Sequence, residues 1–254
     1  MTTLDFTPAP GAAPLPRMVA AYAGAEVRGM LRNGEQLLLT MIIPILVLVG
    51  FSAAPLLQIE GSRVDYVTPG VLALAIMSTA FTGQAIATGF ERRYGVLKRL
   101  GATPLSRRGL MLAKTLAVIA VEAVQVVVIV AVALALGWRP AGGWAAAALL
   151  VLLGTAAFSG LGLLMAGTLR AEATLAAANL VYLVLLGVGG VVFPIARFPE
   201  GLQPILDLLP IAALSTGLRS ALSGASAFPA AEALILLAWA VAGLALAART
   251  FRWE

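Results

Sequence analysis

No cysteine and no histidine occur in the 254 residues. The first absence excludes a disulfide framework, thiolate metal sites and a cysteine nucleophile. The second removes the commonest metal ligand and the commonest general base. No G-x-x-x-x-G-K-[ST] run is present, so a chain like this one that used ATP would need a partner to bind it. Charge is also scarce: 11% of residues are charged against 61% hydrophobic, and the mean hydropathy is +0.98. Soluble domains are about a quarter charged, and a soluble globule of this composition lacks the polar groups to cover its surface. The composition is that of an all-α integral membrane protein, with no metal site and no catalytic residue expected.

The charges that are present carry a net +5. They fall in short runs between apolar stretches, which is a topology signal rather than a nucleic-acid-binding surface. A membrane-crossing helix needs roughly 20 mostly apolar residues. Six stretches qualify, at about 37–57, 68–90, 109–137, 144–168, 174–194 and 230–248. The runs are continuous rather than alternating, which argues against a closed β-barrel. Thirteen of the 17 Lys and Arg fall on one side of these spans, from Arg17, Arg28 and Arg32 through the 92–114 cluster to Arg170, Arg249 and Arg252. Only Arg63, Arg139, Arg197 and Arg219 fall on the other. The positive-inside rule makes the first side cytoplasmic, with both termini. An Arg- and Ala-rich composition points to a bacterial chain, so the expected location is a bacterial cytoplasmic membrane.

Residues 1–16 are rich in Pro, Ala and Thr and have no Lys or Arg, so a disordered cytoplasmic tail is expected rather than a signal peptide. Residues 17–254 form one transmembrane domain. Residues 17–35 read as a helix along the membrane surface: Arg28, Arg32 and Glu35 lie on one flank, and Met18, Tyr22 and Ala25 supply a modest apolar side. An ordinary solvated lead-in is the alternative.

The segment between spans two and three is the most informative. On a helical wheel Tyr94, Val96, Leu97 and Leu100 share one arc, while Glu91, Arg92, Lys98 and Arg99 share the opposite one. Arg93 is the misfit. Residues 91–100 are therefore expected to form a short amphipathic helix, ended by Gly101 and followed by a turn at Pro104. A basic loop that only fixes topology is the bland alternative. An apolar ridge with charged flanks suits docking in the cleft of a soluble partner.

The run E-R-R-x-G-x-L-K-R-L-x-x-T-P-L-S, with Lys114 following in the next span, resembles the signature loop of ABC-2 type permeases. Within that family the chain most resembles the daunorubicin-resistance type. A second stretch, from Pro199 through Leu202 and Ile205 to Pro210, resembles the family's P-x-x-L-x-x-I-x-x-x-x-P run on the outer side. The family often carries an acidic residue where Arg93 stands. The resemblance implies six spans, an N-terminal interfacial helix, a cytoplasmic coupling helix and outer re-entrant helices. It also implies a partner, a cytoplasmic ABC ATPase that binds ATP and Mg, and a homodimer or a heterodimer with a second ABC-2 permease. The coupling residues it implies are Glu91, Arg92, Arg93, Tyr94, Gly95, Leu97, Lys98, Arg99 and Pro104.

Residues 195–228 are too polar and proline-broken to span, yet 202–214 and 216–222 are apolar enough to dip back into the membrane. There Pro199, Asp207, Pro210 and Arg219 are candidate outer-gate residues, with Asp207 and Arg219 expected to pair or to line an exit. A plain external loop is the alternative. Glu122 lies about 13 residues, so roughly 20 Å, into span three, where a charge is costly and by default functional. Gln125 is expected on the same face, and the two are candidates to line a substrate path or a subunit interface; a Glu122 protonated or paired for structural reasons, or near the outer boundary of a tilted helix, is the alternative. Asn179 and Tyr182 form a second polar face in span five, for the substrate path or for a helix–helix hydrogen bond. A permease moving an amphipathic, lipid-like or drug-like substrate outward is the leading function. A proton-coupled secondary carrier using Glu122 explains the buried carboxyl but not the docking helix. An intramembrane serine protease at Ser159 is excluded for want of a histidine to activate it.

Overall fold

Apolar runs of this length have one way to satisfy their backbone in hydrocarbon without neighbours, which is the α-helix. The computed structural model describes residues 11–53, 62–191, 194–225 and 228–250, with the side chains of 35–39 outside the description. Among the described residues it is helical throughout, with no strand. The expected tail falls mostly outside the described residues, as do residues 54–57 of the first expected span and Arg252.

Helix α1 (Leu15–Arg32) leads directly into α2 (Gly34–Ala53). Helices α3 (Arg63–Ile76) and α4 (Gln84–Arg93) are joined without a break by a π-helical segment, Met77–Gly83. A short helix, α5 (Val96–Gly101), precedes α6 (Arg107–Ala135), α7 (Trp144–Thr168) and α8 (Ala171–Val188). A 3-10 turn at Ile195–Arg197, α9 (Gln203–Asp207), α10 (Pro210–Leu222) and α11 (Ala230–Thr250) complete the chain.

Among the described residues, five helices are long and apolar enough to cross a membrane: Arg63–Arg93, Arg107–Ala135, Trp144–Thr168, Ala171–Val188 and Ala230–Thr250. The first expected span corresponds to α2, of which Thr40–Ala53 is apolar among the described residues. The second begins before the expected residue 68, because Ser62 rather than the apolar run marks the start of α3. The fifth starts three residues early and stops at Val188 instead of 194. Gly189 and Gly190 follow, and Gly190 has φ +67°, a left-handed conformation that ends helices.

The main core joins α3, the π segment, α6, α7, α10 and α11, through Ile76, Phe81, Ile129, Phe158, Leu214 and Leu236. Helix α7 lies closest to α11. A Cβ built on Gly160 would stand 2.7 Å from the Leu244 nitrogen, so only glycine permits that approach. Helix α10 is sunk into this core along most of its length. The expected division near residue 215 is absent. The break falls instead at Leu208–Leu209, with Pro210 starting a new helix whose fixed φ suits a first turn. Ser215 stays helical because its hydroxyl lies 3.2 Å from both the Ala212 and the Gly189 carbonyls.

A second, smaller core gathers Val19 of α1, Leu97 of α5, Leu105, Leu110 and Met111 near the start of α6, Leu163 of α7 and Ala247 of α11. It seats α1 and α5 at one end of the bundle. At the other end the Asp65 carboxylate accepts from the Arg139 amide at 3.1 Å, and the Ala141 amide donates to the Leu222 carbonyl at 2.8 Å. Among the described residues, Lys114 lies near the first end, and Arg139 and Arg219 lie at the second.

Candidate functional site

Lys114 sits one-quarter of the way along α6, inside an apolar run, and its side chain is 1% exposed. A buried ammonium is costly unless paired. Its Nζ lies 2.5 Å from Glu26 Oε1 of α1, and 2.8 Å from Oε2 and 3.0 Å from Oε1 of Glu91 at the end of α4. The Tyr22 ring centroid is 5.9 Å from the same nitrogen, at the edge of cation–π range. Burial raises the Tyr22 hydroxyl well above the usual phenol range, against the opposing pull of Lys114. One cation thus joins three elements: α1, the end of α4 and the start of α6.

The end of α4 is held from a second direction. Arg92 donates to the Leu169 carbonyl at the end of α7, and Arg93 pairs with Glu172 in the first turn of α8. The Arg93–Glu172 pair is exposed, so it stabilises by about 1 kcal/mol at most. Its effect is to fix where α4 ends relative to the α7–α8 turn. Arg93, the misfit on the helical wheel, is therefore a residue of the α4 helix facing α8.

The expected helix over 91–100 is accordingly two pieces. Residues 91–93 belong to α4, and Gly95, with φ +72°, breaks the chain before α5. The left-handed conformation disfavours any residue with a Cβ. The break divides the apolar ridge. Leu97 turns inward and is fully buried, with Leu100 against the same small core. Tyr94 is 69% exposed and Val96 39% exposed. Lys98, Arg99 and Pro104 are exposed beside them. Thr103 Oγ1 closes the loop by donating to the Leu100 carbonyl at 2.6 Å, and Ser106 Oγ caps α6 by accepting from the Gly109 amide at 3.1 Å. The result is a rigidly seated apolar knob with a basic flank.

The remaining expected site residues lie apart from this one. Glu122 and Gln125 are both buried but face different neighbours. Gln125 donates to the Thr40 carbonyl of α2 at 2.6 Å and accepts from Thr79 of the π segment at 3.0 Å. Glu122 points to α7 and accepts from Thr155. They share no path. The three-residue offset turns the side chains about 60° apart, enough to reach separate helices. Asn179 is exposed and donates to Leu175 of its own helix at 2.9 Å, rather than across to a neighbour. Tyr182 is half-buried against the main core.

At the far end Asp207 and Arg219 do not pair. Asp207 is exposed on α9, whereas the Arg219 guanidinium lies 4.0 Å from the Tyr66 ring centroid and donates to the Gly190 carbonyl at 3.2 Å. Pro199 caps a turn, its carbonyl accepting from the Leu202 amide at 2.8 Å, and Pro210 opens α10.

Sequence reasoning missed Glu26. The signal is present: Met18, Tyr22 and Glu26 follow one another at four-residue spacing on one helical stripe. An acidic residue ending an apolar stripe is the mark of a buried pairing group. Among the described residues no group of three or more acidic side chains is placed to hold a metal.

A family model described as ABC-2 type transporter matches residues 19–223. That range takes in α1, the Lys114 cluster, the Gly95 break and α10. A search of curated proteins gives no match.

Proposed function

We propose a function on the premise that the chain belongs to the ABC-2 type transporter family. The chain is the membrane-spanning permease subunit of an ATP-driven exporter in a bacterial cytoplasmic membrane. It crosses six times, with α2 as the first crossing and both termini cytoplasmic, and α1 lies along the membrane surface among the lipid headgroups. It pairs with itself or with a second ABC-2 permease. A cytoplasmic ABC ATPase binds ATP and Mg and hydrolyses the nucleotide; this chain performs no chemistry of its own. The cargo is amphipathic, lipid-like or drug-like, and it moves outward past α9 and α10, where Pro199, Asp207, Pro210 and Arg219 shape the outer gate.

The observation that carries this reading is the Lys114 cluster beneath the exposed Tyr94–Val96 knob. A partner seated on Tyr94, Val96, Lys98 and Arg99 presses on α5. Leu97 transmits that displacement to α1 and α6 through the small core, and Glu91–Lys114–Glu26 carries it to α4. A nucleotide-bound partner that fits only one arrangement of these helices favours that arrangement, which is how a ligand drives a conformational change. The proton-coupled carrier built on Glu122 gives no role to the knob or to the cluster, and family membership does not favour it.

The test is affinity purification of the tagged chain expressed with its native gene neighbourhood, followed by an ATPase assay. The expected result is a co-purifying ATPase, lost when Glu91 and Gly95 are replaced in a chain that still folds. A folded chain that never retains an ATPase contradicts the reading.

A further inference from the structure

A cavity of about 290 Å³ lies between α3, α6, α7 and α10, away from the coupling end. Its size sits at the lower edge of the roughly 300–1,000 Å³ typical of small-molecule sites. Its wall is apolar, formed by Leu72, Val126, Val130, Val151 and Leu218. Its rim is open on the outside of the bundle, where Ala123, Ala148 and Leu152 are exposed. Trp144, half exposed, stands at the same rim.

Two polar side chains line it, Glu122 and Thr155. Thr155 Oγ1 bonds Glu122 Oε2 and also lies 2.9 Å from the Val151 carbonyl of its own helix. Glu122 Oε1 has no hydrogen-bond partner among the described residues, although the residue is 1% exposed. A buried carboxyl oxygen without a donor is costly. Glu122 lies at the midpoint of α6, too far from either end to reach bulk water by extending its side chain.

The lining selects among ligands. A metal ion of the oxygen-seeking kind takes six or more oxygens, and this wall offers two side chains. A purely apolar ligand leaves Oε1 unsatisfied. An ionised acidic ligand offers Oε1 no hydrogen-bond donor. A molecule with an apolar body and a hydrogen-bond-donating head satisfies both surfaces at once.

We propose that this cavity binds an amphiphile whose apolar body fills the α6–α7 groove and whose amine head donates to Glu122. It opens sideways, so such a molecule reaches it from the bilayer. This names the cargo class, and in that respect it rests on the permease reading; the binding itself does not.

The experiment uses the full chain in phosphatidylcholine nanodiscs. Its tryptophan fluorescence is titrated with dibrominated dodecylamine and with dibrominated dodecanol, bromine quenching only rings it approaches closely. The amine is expected to half-quench at about tenfold lower concentration than the alcohol, the scale of one hydrogen bond to a charged group. Glu122→Gln makes the two curves coincide, and Trp144→Phe removes the site-specific quenching. Ala148→Leu, at the exposed rim and with Glu122 intact, narrows the mouth and weakens both quenchers. Coincident curves in the native chain overturn the proposal, as does an amine preference that survives Glu122→Gln. If the Gln variant does not fold, quenching by the amine and the alcohol that Ala148→Leu leaves unchanged overturns it equally. Failure of the ATPase to co-purify sinks the permease reading and leaves the binding result standing, so the two failures are distinguishable.

Discussion

Lys114 is the residue on which the end of the bundle that holds α1 and α5 depends. Its ammonium is enclosed by Glu26, Glu91 and Tyr22, and removing it leaves two carboxylates against apolar walls. Breaking a buried pair from one side costs about 3–5 kcal/mol, so Lys114→Met is expected to lower the thermal midpoint in detergent far more than Arg93→Ala. The latter removes an exposed pair, worth about 1 kcal/mol at most. Equal losses in the two variants contradict the assignment. Gly95 makes a different residue-scale prediction. A Cβ there meets nothing within 4 Å, so Gly95→Ala is penalised only through its φ of +72°. The expected cost is about 1–2 kcal/mol, read by thermal unfolding. A neutral effect shows that the break relaxes. Lys114 was legible as a motif residue, but its partner Glu26 is 88 positions away, and no local pattern reports a contact of that span.

At the scale of elements, apolar runs located the long helices because length and hydropathy alone determine whether a segment can cross a bilayer. Their ends were less legible. The α4–α5 boundary was placed at 91 because a helical wheel assumes continuous helix and carries no information on a left-handed glycine. The π segment Met77–Gly83 was invisible for a related reason: it is mostly buried, with Met77, Ala80 and Phe81 in the core and Thr79 bonded to Gln125, so no polar face marks the change of period. Glycines were legible as permitting close packing, but not which of them use it. Gly160 meets α11 backbone on one side, and a Cβ on Gly187 meets nothing within 4 Å. Gly160→Ala is therefore expected to force α7 from α11 and to lower the thermal midpoint, while Gly187→Ala leaves it unchanged or raises it slightly through helix propensity. Matching effects in the two variants contradict the packing described.

For the whole molecule, the division into two ends organises the structure. The end with most basic residues carries α1, α5 and the Lys114 cluster, and the opposite end carries α9, α10 and Arg219. Composition and charge distribution made the membrane character and this polarity legible from the sequence. What they left open was how the two ends are joined. The continuous helix from Arg63 to Arg93 connects them, running from Tyr66 beside Arg219 to Glu91 beside Lys114. The native chain has no cysteine, so an introduced one reports its own position without background. The most direct measurement is thiol cross-linking of single-cysteine variants to the co-purified ATPase. Tyr94→Cys and Val96→Cys, on the exposed knob, are predicted to cross-link. Glu200→Cys, exposed at the opposite end, is predicted not to. Cross-linking from Glu200→Cys, or a retained ATPase that neither knob variant reaches, would contradict the account.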